Sequence, residues 1–108
     1  MDSLAKLAEA TALELDAKRP GWALAIDKKS LDMTFCAHCV IGQLDGSFSR
    51  ADLSYLGYRG KNYFADKLRW ASKKGLNVEP GLPSWEYDKA SKKLADIWIG
   101  LIDQRLGH

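Results

Sequence analysis

Two cysteines and a histidine fall within one four-residue span of the stretch TFCAHCVIGQL (residues 34–44): Cys36, His38 and Cys39. Thiolates and imidazoles are zinc ligands, and a Cys-x-x-Cys pair at a helix start can also do redox chemistry. A closed structural zinc site takes four ligands, commonly two such pairs. This chain offers one pair, and its other histidine is His108. Zinc would therefore need His38 turned inward and His108 folded back, or two chains sharing the metal. A redox pair would need a strand leading into the helix, and no segment before it reads as one. If residues 35–44 are helical, Cys36 and Cys39 share a face with Val40 and Gln43 and pack as small hydrophobes. That structural role is the expectation: no cofactor, with zinc on Cys36 and Cys39 as the alternative.

The second constellation is basic and aromatic. The net charge is only +2, but residues 58–83 carry six basic and two acidic side chains, whereas residues 1–57 carry six and eight. Within the positive segment Tyr63, Lys67, Trp70 and Lys74 are spaced four, three and four apart, one stripe of a helix. Aromatics interleaved with lysines can stack a base and neutralise a phosphate. Arg59, Lys61, Arg69 and Lys73 add charge around the stripe. In the competing reading Tyr63 and Trp70 widen the core while the lysines reach past it to water. A helix-turn-helix, with Arg50–Leu56 and Lys61–Lys74 around the turn GYRG, fits only in part, because Asp66 stands where an apolar residue is required.

Of the four tryptophans, Trp85 follows a proline-containing linker and is the one expected at the surface, as an interface residue. The alternative is a hydrophobic staple that folds it onto the start of its own helix. Glycine-rich phosphate loops, nucleophile elbows, H-E-x-x-H and EF-hand patterns are absent from the sequence. Nothing argues for an enzyme.

The elements that must hold these residues are nearly all helical. Leu4, Leu7, Ala8, Thr11, Ala12 and Leu15 recur at three- and four-residue spacing behind Ser3 as N-cap. Pro20 restarts the chain, with Trp22, Leu24 and Ile26 as core candidates and residues 27–32 as a polar connector. Thr34 is expected to cap a helix to about Leu44. The stretch SRAD (residues 49–52) resembles a capping box that opens a short helix ending at Gly57. Residues 61–74 follow as a helix with Phe64, Leu68 and Ala71 inward and Gly75 as its stop. A linker over about residues 77–83 precedes a long last helix capped by Ser84. That helix carries the stripe Leu94, Ile97, Trp98, Leu101, Ile102 and Leu106. The expectation is a single all-α domain over residues 1–108, with about five or six helices and a long C-terminal one. The composition is that of a globular chain, 46% hydrophobic and 28% charged, with no run long enough to span a membrane and no secretory signal.

The string RPGWALAIDKKSLDMTFCAHCVIGQLDGSF resembles a group of small uncharacterised proteins of actinobacterial phages and their hosts. The pattern of that group is Pro-Gly-Trp, Ile-Asp, Leu-Asp and Cys-x-x-Cys-Val-x-Gly-Gln-Leu. Here it falls on Pro20, Gly21, Trp22, Ile26, Asp27, Leu31, Asp32, Cys36, Cys39, Val40, Gly42, Gln43 and Leu44. The likeness covers residues 13–46, with a fainter echo in YLGYRGKNYF. It implies a phage-borne accessory protein of the bacterial cytoplasm and brings no activity with it. The expected function is therefore non-catalytic binding of a host or phage macromolecule, most simply a protein. The expected surface is Arg59, Lys61, Tyr63, Lys67, Arg69, Trp70, Lys73, Lys74 and Trp85. Nucleic-acid binding by the basic helix, sequestration of a small nucleotide and a zinc-stabilised module are the alternatives. No membrane partner is expected, and the oligomeric state stays open.

Overall fold

The inward residues of the first helix are small, and that governs how the chain closes. In the computed structural model, which describes residues 3–33, 38–46, 48, 51–60, 63–78 and 82–107, α1 spans Ser3–Lys18. Its buried face is Ala8, Thr11, Ala12 and Leu15; Leu4 is half-buried and Leu7 is exposed. Two alanines one turn apart let another backbone approach closely, and the turn at Gly75 does so. A Cβ on Gly75 would lie 2.4 Å from the Ala8 nitrogen and 2.7 Å from its Cα, and the residue has φ +68°. Only glycine meets both conditions.

Gly75 ends α3 (Phe64–Lys73) in a Schellman arrangement. The Leu76 N–H donates to the Ala71 carbonyl at 2.9 Å and the Gly75 N–H to that of Ser72 at 3.5 Å. Two side chains then secure the turn. The Thr11 hydroxyl donates to the Lys74 carbonyl at 2.5 Å, and the Trp98 indole N–H donates to the Gly75 carbonyl at 2.7 Å. Trp98 belongs to α4 (Ser84–Leu106), whose stripe is buried at Leu94, Trp98, Leu101 and Ile102 and half-buried at Ile97 and Leu106.

The 3₁₀ turn Trp22–Ala25 packs on α4, entered through Gly21 at φ +85°. Trp22 meets Trp98 edge-on at 5.6 Å between centroids, and its N–H donates to Asp16 at 2.8 Å. Arg105 lies over the Trp22 ring and pairs with the same carboxylate. Next comes α2, only Val40–Asp45, with a second 3₁₀ turn at Ser54–Leu56 against α1. Among the described residues there are thus four α-helices, not five or six, with the expected long C-terminal one and no strand.

Several local expectations change. α2 begins at Val40, and its N-cap is Cys39; Thr34, expected to cap it, lies outside the described residues, as does Ser49 of SRAD. The turn after SRAD is held by Asp52, whose carboxylate accepts from the Ser54 N–H at 3.0 Å. One 3₁₀ turn replaces the helix expected there. Leu24 is 78% exposed, because the 3₁₀ turn presents Trp22 and Ala23 to the core instead. α4 starts after Pro83 with no side-chain cap from Ser84. The linker expected from residue 77 begins as core: Leu76, Asn77 and Val78 are buried. Phe64 is expected inward, but its side chain is outside the description.

Two outcomes test this frame. Gly75→Ala combines left-handed strain with a backbone clash and should cost about 2–6 kcal/mol in urea unfolding. The Asp16 carboxyl is held below its ordinary 3.8, chiefly by the Arg105 hydrogen bonds, with burial opposing and Trp22 assisting. A depressed carboxylate contributes stability above its unfolded pKa and loses it as the pH falls through the folded value. Thermal unfolding of Asp16→Asn should therefore show a shallower loss than wild type as the pH drops below 3.8.

Candidate functional site: the α3 surface and the start of α4

The sequence stripe on α3 is taken apart by the fold. Lys67 is 3% exposed, and its ammonium donates to the Ala51 carbonyl at 2.9 Å, tying α3 to the loop before Ser54–Leu56. Trp70 is half-buried, edge-on to Tyr58 at 5.5 Å. Lys74 lies 5.9 Å over the Trp70 ring and pairs with Glu14 of α1 at 2.9 Å. These three side chains strap α3 onto the body. Tyr63 precedes the helix and is 62% exposed.

What α3 turns outward is charge. Arg69 and Lys73 are exposed on the helix and Arg59 on the preceding loop; Lys61 falls outside the described residues. Asp66 lies 3.9 Å from Arg69, an exposed pair of little energetic weight. The expected nine-residue surface is thus divided. Arg59, Tyr63, Arg69, Lys73 and Trp85 face solvent, whereas Lys67, Trp70 and Lys74 hold the fold. Of the packing alternative, Trp70 is half-buried as that reading has it, but Tyr63 is exposed and Lys67 is buried on a backbone carbonyl instead of reaching water.

Trp85 is 72% exposed on the first turn of α4. Ser84, Glu86, Asp88 and Lys89 are exposed with it, while Tyr87 and Ala90 of the same turns are half-buried against the core. The staple that would fold Trp85 back is not formed. Lys89 and Lys92, four and seven residues on, continue the same helical face.

The cysteine stretch resolves differently. Cys39 is buried, and its sulfur accepts the Gly42 N–H at 3.3 Å as the N-cap of α2. His38 is exposed and its carbonyl accepts from Asp32 N–H at 3.2 Å and from the Gln43 amide at 3.1 Å. Gln43 also bridges the backbone of Asp27, accepting at 2.6 Å and donating at 3.1 Å. Cys36 and His108 lie outside the described residues. The described part of the string that carries the phage-group resemblance is therefore largely scaffold. Gly21 makes a turn, Trp22 fills the core, Asp27 caps a turn through Lys29 and Ser30, and Gln43 joins two loops.

Sequence reasoning missed the buried position of Lys67. Its signal was present, since Lys67 lies on the same helical side as Phe64, Leu68 and Ala71. Compared with family models, curated proteins and solved structures, the chain matches none of them.

The strap predicts a split in stability. Lys67→Ala removes a charged hydrogen bond and a buried stem, and should cost about 1–3 kcal/mol in chemical denaturation. Lys73→Ala, at the outer face, should stay within about 0.5 kcal/mol of wild type. Equal effects would contradict the assignment.

Proposed function

We propose that the chain is a small phage-type accessory protein of the bacterial cytoplasm. It binds a host or phage protein without turnover, through the exposed start of α4. The observation that carries this reading is Trp85, 72% exposed on the outer side of the first turn of α4. Tryptophan at such a position offers a large rigid contact surface, and tryptophans dominate interface energetics when a partner buries them. Lys89 and Lys92 beside it, with Glu86 and Asp88, provide a charged rim of both signs. Support for nucleic-acid binding is weaker, because Lys67, Trp70 and Lys74 are spent on intramolecular contacts. Arg59, Arg69 and Lys73 remain for that alternative.

The test is cross-linked capture from bacterial lysate, with and without nuclease treatment and with and without phage infection, comparing wild type with Trp85→Ala. One protein should be enriched by wild type and fall at least about tenfold with the variant, a loss of about 1.4 kcal/mol. The unfolding midpoint should be unchanged, as for other surface substitutions. Capture that disappears with nuclease or with added salt would move the reading to nucleic acid. Capture indifferent to Trp85 would end it.

A further inference from the structure

We propose that the cleft between the 29–33 connector and the second and third turns of α4 is a binding site for a nucleoside monophosphate. The cleft has a volume of about 460 Å³, within the range of small-molecule sites and larger than a bare ion needs. Its rim and its floor differ in chemistry. Lys29 and Asp32 on the connector face Asp88 and Lys92 on α4 across the rim, all four exposed. The floor is Met33, Ala95 and Ser91, each at most 9% exposed.

The four rim charges cancel, so the cleft favours neither a lone anion nor a lone cation. It suits a molecule with an anionic end and a donor-rich end. A nucleoside monophosphate has both: its phosphate would sit between the two lysines, and its sugar hydroxyls would donate to the two carboxylates. The base would lie on the apolar side chains of Met33 and Ala95, with the exposed His38 ring at the same rim for stacking.

A second, independent observation points to a ligand. The Ser91 hydroxyl exposes less than 1 Å² and has no hydrogen-bond partner among the described residues. Serine inside a helix usually bonds back to a carbonyl of the preceding turn, and this one does not. An unpartnered buried hydroxyl is destabilising where alanine would fit the same space. Ser91 lies in the floor of the cleft, where a bound molecule would offer the hydroxyl a partner. Met33, a flexible side chain, lines the same floor.

The experiment is an NMR titration of the full chain with four probes: AMP, UMP, adenosine and inorganic phosphate. AMP and UMP should shift the amides of residues 29–33, 38 and 88–95, with Kd at or below about 1 mM. Adenosine and phosphate alone should bind at least about tenfold more weakly, each making only part of the contacts. Lys92→Ala should weaken AMP about tenfold and leave adenosine unchanged. Ser91→Ala should weaken both while raising the thermal midpoint, because it removes a buried unpaired group. No saturable shift with any probe would overturn the proposal. So would shifts confined to residues 59–73, or unchanged AMP binding by Ser91→Ala.

Discussion

The indole of Trp98 holds several segments at once. Its N–H donates to the Gly75 carbonyl, its ring meets Trp22 edge-on, and it is fully buried on α4. The carbonyl it satisfies belongs to a turn pressed against the backbone of Ala8, so α1, the end of α3 and α4 meet at this point. Without that donor the buried carbonyl would be unpaired, at about 1–3 kcal/mol. Thr11 does the same for the neighbouring Lys74 carbonyl. On the other face of the pair, Trp22 is fixed by Asp16, which Arg105 holds in turn. The core is thus organised around two tryptophans whose polar atoms are both satisfied.

This organisation separates the residues that build the domain from those free to act. Lysines and aromatics on α3, which look like a ligand-binding stripe, are occupied in attaching that helix. Lys67 reaches a loop carbonyl, Trp70 packs on Tyr58, and Lys74 pairs with Glu14. Cys39 likewise contributes its sulfur to a helix cap. What remains outward includes the start of α4 with Trp85, the outer charges of α3, and the cleft under the 29–33 connector.

The long amphipathic helices were legible because their burial follows a 3.6-residue period. The face Ala8, Thr11, Ala12, Leu15 and the stripe Leu94, Trp98, Leu101, Ile102 could be read directly. Gly75 as a helix stop was legible for the same local reason, but its approach to Ala8 was not, since a tertiary contact leaves no periodic trace. Short segments resisted reading. Six residues of α2 carry too few turns to define a period, and a 3₁₀ turn puts Leu24 outward where the alternating spacing of Trp22, Leu24 and Ile26 would bury it. Lys67 was misplaced because lysine is almost never fully buried unless partnered, and the partner is a carbonyl sixteen positions away. Exposure of Trp85 was anticipated from its linker, although the linker's first residues turned out to be core. The cleft had no signal in the sequence, because its two walls are about sixty residues apart.

Lys67, Trp70 and Lys74 strap α3 to the body, and Trp85 is the tryptophan left for a partner. Hydroxyl-radical footprinting of the four tryptophans, combined with brief acetylation of lysines, tests both halves in one mass-spectrometric measurement. The account predicts rapid oxidation of Trp85, slower oxidation of Trp70, and protection of Trp22 and Trp98, with Lys67 protected from acetylation while Lys73 and Lys89 react. Oxidation of Trp70 as fast as Trp85, together with ready acetylation of Lys67, would return the stripe to the surface and contradict the account.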